Sequence, residues 1–117
     1  MTAQEHLEVE VTDENGVAVV AINGPVDSTT MNEFQEALEP LFRKKAAHVL
    51  IDCEGLTYIN SRAIGMLTKY RRKVYTQGGR LALCNIDSKI VRTLDLLGLN
   101  KVLRRYPSRE DALAGMS

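Results

Sequence analysis

The sequence predicts a single α/β domain built on a mostly parallel sheet with an antiparallel N-terminal edge strand. Three observations point to it. The chain opens with an alternating apolar/polar stretch and a turn signal, continues with short apolar runs, and places helix-period segments between those runs. Strands that alternate with helices imply parallel pairing with right-handed crossovers. At 117 residues the chain fits one domain, residues 1–117, and is long enough to bury a core without disulfide or metal.

Leu7, Val9 and Val11 alternate with Glu8, Glu10 and Thr12, as in a strand with one face in solvent. Asp13-Glu14-Asn15-Gly16 reads as a hairpin turn, because Asn-Gly readily supplies positive φ. Val17 to Ile22 is an unbroken apolar run, a strand covered on both faces. From Ser28 the period becomes helical, with Met31, Phe34, Leu38, Leu41 and Phe42 on one side and Glu33, Glu36 and Arg43 on the other. Asp27 or Ser28 is placed to cap this helix, and Lys44 and Lys45 suit its negative end. Pro40 should kink the helix or split off its last turn.

His48 to Cys53 is the next buried strand, and Glu54 to Asn60 reads as a loop. A second helix follows with Ile64, Leu67, Tyr70 or Arg71, and Val74 as its stripe, ended by Gly78-Gly79. Leu81 to Cys84 is a strand, and Asp87 or Ser88 caps a third helix carrying Ile90, Val91, Leu94 and Leu97. Gly98 suits a left-handed C-cap with Leu99 folding back. Val102 and Leu103 mark a last strand. Ser108 with Asp111 resembles a capping box for a short helix through Leu113. The order is ββαβαβαβα.

Composition narrows the function. Fifteen basic residues balance fifteen acidic ones, so net charge gives no pull towards nucleic acid or anionic lipid. No apolar run approaches the roughly 18 residues of a membrane helix. Acidic residues at Glu5, Glu8, Glu10, Asp13 and Glu14 stand where a secretory signal carries positive charge, so the expected location is the cytoplasm. Cys53 and Cys84 lack metal-ligand spacing and are expected to be reduced and buried.

In parallel sheets the functional groups sit in loops leaving the carboxyl ends of strands. Here these are Gly24 to Asp27, Thr57 to Ser61, and Asn85 to Ser88. That edge is rich in hydroxyls but has no base for a serine nucleophile, since His6 lies near the terminus and His48 at a strand start. Gln77-Gly78-Gly79 leaves a helix and so cannot cradle a phosphate. No enzyme activity, cofactor or metal is expected. Ser61 begins the second helix. Either Ser61 or Asn60 caps it, or the Ser61 hydroxyl is displayed where helix N–H groups would accept a phosphate. Asn60, Arg62, Gly65 and Lys69 lie opposite the Ile64–Leu67–Val74 stripe, and packing does not account for them.

Val49-Leu50-Ile51-Asp52, with Leu56 through Gly65 after it, resembles the signature of STAS domains, the fold of bacterial anti-sigma factor antagonists. Gly24-Pro25-Val26-Asp27, Gly78-Gly79-Arg80-Leu81 and Leu97-Gly98-Leu99 are similar to three further landmarks, in order over nearly the whole chain. The resemblance implies a phosphorylation switch at Ser61. An anti-sigma factor, itself a serine kinase, binds the loop edge and phosphorylates the serine, the complex parts, and a phosphatase acting on phospho-Ser61 restores binding. It places Asp27 on the contact surface, with Asn60, Arg62, Gly65 and Lys69 beside it. The family usually reads Asp-Ser-Ser-Gly where this chain has Asn60-Ser61-Arg62-Ala63. Two other roles fit a STAS domain: an accessory subunit of a lipid-transporting ATPase assembly, and a scaffold module that is not phosphorylated.

Overall fold

A computed structural model describes residues 6–45, 47–99 and 101–116. The strands are β1 (Glu8–Glu14), β2 (Val17–Val26), β3 (His48–Ile59), β4 (Arg80–Cys84) and β5 (Arg104–Tyr106). The helices are α1 (Met31–Phe42), α2 (Ser61–Thr76), α3 (Ser88–Leu96) and α4 (Arg109–Met116). The sheet runs β1-β2-β3-β4-β5, with β1 antiparallel to β2 and every other pair parallel. The expected fold class and element order are therefore the observed ones.

The two faces of the sheet are covered unequally. Val20, Ile22, Val49, Ile51 and Leu83 meet Phe34, Leu38 and Phe42 of α1, Ile64, Leu67 and Val74 of α2, and Ile90 and Leu94 of α3. Val17, Val19, Leu50, Ala82 and Cys84 face α4, which contributes Ala112 and Met116. Each large side chain buried this way is worth roughly 1.5–3 kcal/mol. Such burial on both faces explains the continuous apolar runs of the inner strands. In β1, Val9 opposes Ile22 and Val11 opposes Val20, while the glutamates share the other face. Cys53 and Cys84 are buried and form no disulfide. Burial raises both thiols, Cys84 to about 12, with the nearby Asp52 charge adding to the effect.

Five expectations about element limits need correction. The first concerns β2, which runs past Ile22 to Val26, so Gly24–Val26 is strand and not loop. The stretch from Glu54 is not a loop, because β3 continues to Ile59 against the end of β2. It does so through two irregularities, each adding one residue to β3: Ala21 and Asn23 face Asp52 and Gly55, and Gly24 and Pro25 face Leu56 and Tyr58. A Cβ at Gly55 would collide with Asn23 Oδ1 and the Ile22 carbonyl, so the bulge requires glycine there. The last strand is Arg104–Tyr106, and Leu103 turns into the core just before it. The last helix runs past Leu113 to Met116, which closes the second core. The first helix begins at Met31 after an uncapped Thr30, so neither Asp27 nor Ser28 caps it. Pro40 sits in its last turn, where the helix ends two residues later and one absent N–H removes one bond.

Other end signals act as expected. Ser108 Oγ accepts from Asp111 N at 3.1 Å, and Asp87 Oδ1 from Ile90 N at 3.0 Å. Gly98, at φ +72°, ends α3 while Leu99 N donates to Leu94 O at 2.8 Å and Gly98 N to Asp95 O at 3.0 Å. This is the paired bonding of a Schellman motif.

Candidate functional site

β2 and β3 leave the sheet together. Val26 stands opposite Ile59, and Asn60 N donates to Val26 O at 3.0 Å. The register thus sets Asp27 and the Asn60–Ser61 pair side by side at the carboxyl edge. Asp27 Oδ1 accepts from Thr29 N at 2.9 Å, Thr29 Oγ1 at 2.7 Å and Thr30 N at 3.2 Å. Thr30, which is buried, donates to Pro25 O at 2.9 Å and accepts from Asp27 N at 2.9 Å. The Thr29 hydroxyl, against the effect of desolvation and with the Thr29 and Thr30 N–H groups, holds the Asp27 carboxyl below the usual range. Asp27 is therefore a fixed anion that closes a turn.

Of the two possible caps on α2, Asn60 is the one that acts. It has extended backbone, φ −86° and ψ 167°, and its Oδ1 accepts from Ala63 N at 2.8 Å. Asn60 is consequently half-buried and lies before the helix rather than on its face. Ser61 is the first helical residue, is exposed, and no hydrogen bond among the described residues engages its hydroxyl. The first turn of α2 contains no acidic side chain, so nothing on that turn offsets its positive end. The helix has Arg62, Lys69, Arg71, Arg72 and Lys73 and no acidic residue.

Arg62, Gly65 and Lys69 come together on one open groove between α1 and α2, of about 410 Å³, where Met31, Gln35, Met66 and Tyr70 join them. Met31 is buried and forms part of its base, while Arg62, Gly65 and Lys69 are exposed. Nothing lies within 4 Å of where a Cβ on Gly65 would stand. Tyr70 stacks on Phe42, ring centres 4.1 Å apart and planes 4° from parallel. Burial, and then Glu39, raises its hydroxyl pKa. An apolar base with two cations and no acid among its lining residues suits a partner segment that is apolar on one side and acidic at its margins. Asp27 does not line this groove.

The third loop serves the fold instead. Asp87 caps α3, and Asn85, at φ 55°, donates from Nδ2 to Asp52 Oδ1 at 3.0 Å. Asp52 belongs to a network that sequence reading missed. Only 5% exposed, it also accepts from Glu54 N at 3.1 Å and takes two bonds from Arg109, Nε at 3.0 Å and Nη2 at 2.9 Å. Arg109 Nη1 reaches Glu14 at 3.2 Å. Burial pushes the Asp52 carboxyl up, but Asn85, the Glu54 N–H and Arg109 together prevail and leave it below its usual value. A lone carboxylate inside the apolar run from His48 was the available signal, since a buried charge needs partners.

Residues 7–112 match the family described as the STAS domain. The chain belongs to the STAS domain family. This STAS domain is 28% identical over 116 residues to the anti-sigma-F factor antagonist RsfB of Mycobacterium tuberculosis, spanning 99% of this chain and 94% of that protein. It is 25% identical over 109 residues to the anti-sigma F factor antagonist of Paenibacillus polymyxa, spanning 92% and 93% of the two chains. Among solved structures, an anti-sigma factor antagonist from Mycobacterium paratuberculosis superposes with a TM-score of 0.87 at 23% identity, covering 99% of this chain and 98% of that one.

Proposed function

We propose that this STAS domain is an anti-sigma factor antagonist, that its partner is an anti-sigma factor with serine kinase activity, and that phosphate on Ser61 ends their association. The role follows the names of relatives that match it end to end. The observation that carries the switch is the division of labour at the start of α2. Asn60 satisfies the helix end at 2.8 Å, so the exposed Ser61 hydroxyl beside it has no structural bond to keep. The neighbouring N–H groups and the positive helix end tolerate added negative charge in the free domain.

The partner sits across the carboxyl edge and the α1–α2 groove, meeting Asp27, Asn60, Arg62, Gly65 and Lys69. A phosphoryl group on Ser61 adds about −1.5 to −2 charges and needs its own solvation, which a closed interface denies it. A phosphatase acting on phospho-Ser61 returns the domain to its binding state. The domain works by contact, without catalysis or cofactor, in the cytoplasm. The test is incubation with ATP and the anti-sigma factor encoded in the same genome, followed by mapping of phosphate by mass spectrometry. Phosphate on Ser61, and none on a Ser61→Ala variant, is the expected result. A complex that forms and survives ATP with Ser61 unmodified overturns the switch, and failure of any complex to form overturns the antagonist role.

A further inference from the structure

The far end of α2 carries a second polar cleft, unrelated to Ser61. Arg71 lies ten residues along the helix, and Tyr75 fourteen residues along, or about 21 Å from Ser61 at 1.5 Å per residue. The cleft exists because β5 is short. β4 pairs with β3 from Arg80 onwards, but its pairing with β5 begins only at Ala82 opposite Arg104. Arg80 and Leu81 therefore have no strand partner on that side, which leaves a notch of about 170 Å³. It is lined by Arg71, Tyr75, Arg80, Arg104, Tyr106 and Met116, among others.

Three guanidinium groups from α2, β4 and β5 thus converge where no acid lines the cleft. No ion pair among the described residues engages any of the three. Two of them lie over aromatic rings. Arg71 lies 5.0 Å from the Tyr75 ring centre, and Arg104 lies 5.3 Å from that of Tyr106. A guanidinium stacked on its face keeps its edge N–H donors free, and that fork matches the oxygens of a phosphate. Tyr106 is itself seated against α4, because its hydroxyl lies only 2.6 Å from where a Cβ on Gly115 would stand.

We propose that this cleft binds the diphosphate group of a small phosphorylated molecule, clamped between Arg71, Arg80 and Arg104. The size sets the class, since 170 Å³ is below the roughly 300–1,000 Å³ of pockets that enclose a whole drug-sized ligand. The charged head is held in the notch and the remainder of the molecule stays outside.

Inorganic pyrophosphate is the probe, titrated at fixed physiological ionic strength while backbone amide resonances are followed by NMR. Saturable one-to-one binding is expected, with shifts centred on Arg80–Ala82 and Arg104–Tyr106. Arg104→Gln and Arg72→Gln remove the same charge, but only the first faces the cleft, so only the first should weaken binding, by about tenfold or more. Arg104→Lys keeps the charge yet loses the stacked fork and should weaken binding nearly as much. Gly115→Ala, which displaces Tyr106 without altering charge, should weaken it too, with folding checked by a thermal melt. Non-saturating shifts, or equal losses for Arg72→Gln and Arg104→Gln, would overturn the proposal in favour of a diffuse positive field.

Discussion

Replacing Asn60 and Ser61 one at a time by alanine should affect stability very differently. Asn60 accepts the Ala63 N–H at 2.8 Å, and losing such a cap costs about 1 kcal/mol. With an unfolding entropy of roughly 2.1 cal/mol/K per residue, that corresponds to a fall in Tm of about 4 °C for a domain of this length. Ser61 loses no hydrogen bond on becoming alanine, and alanine is the better helix former, so Ser61→Ala should match the parent or gain a few tenths of a kcal/mol. Ser61→Asp places a negative charge at the positive end of a helix and should gain about 0.3–1 kcal/mol at low ionic strength. Calorimetric melting of the parent and the three variants at neutral pH, with urea unfolding as a second measure, decides the matter. If Ser61→Ala falls as far as Asn60→Ala, the hydroxyl is part of the cap, and the reading of Ser61 as a displayed acceptor fails.

Three other outcomes are expected. Titration calorimetry against the anti-sigma factor should show Ser61→Asp binding weakened, and phosphorylated protein weakened by about a hundredfold or more, because an unpaired interfacial charge costs several kcal/mol; equal affinity for the parent and phosphorylated forms would refute this. Gly65→Leu should keep or raise thermal stability, since its side chain enters open space on a helix, yet it should abolish partner binding by filling the groove, and undiminished binding would place the interface elsewhere. Asp52, whose carboxyl is held below its usual value in the folded state, contributes stability that is complete above its unfolded pKa of about 3.9 and lost as pH falls through the folded value. Urea unfolding of Asp52→Asn should accordingly show a loss of about 1–2 kcal/mol at pH 7, discounted for the partial exposure of Arg109, and a flatter acid limb than the parent; an unchanged acid limb would contradict the assignment.

What could be read from the residues alone were features set by neighbours a few positions apart. The helical stripes Met31–Phe34–Leu38 and Ile64–Leu67–Val74, a cap at Asp87 or Ser88, the Gly98 end and the Ser108–Asp111 bond all lie within three turns. The alternation of Leu7–Val11 against the continuous runs of Val17–Ile22 and Val49–Cys53 likewise announced an edge strand beside inner ones. Fold class follows, because burial on one face or two is written in the period of the apolar residues. Ser61 stands out at that level too, although the residues alone do not decide between it and Asn60 as the cap, as both side chains can do so.

Three-dimensional packing settled the rest. β3 extends through Glu54–Ile59 because β2 offers it a partner, and a bulged strand has no alternating pattern to betray it. Leu103 went to the core rather than the strand for the same reason, its surroundings mattering more than its local preference. Asp52 meets Asn85 and Arg109 from 33 and 57 positions away, and the groove joins Met31 of one helix to Arg62, Gly65 and Lys69 of another. Contacts of that range depend on how the sheet twists and where each helix returns to it, and no residue records this in its immediate neighbours.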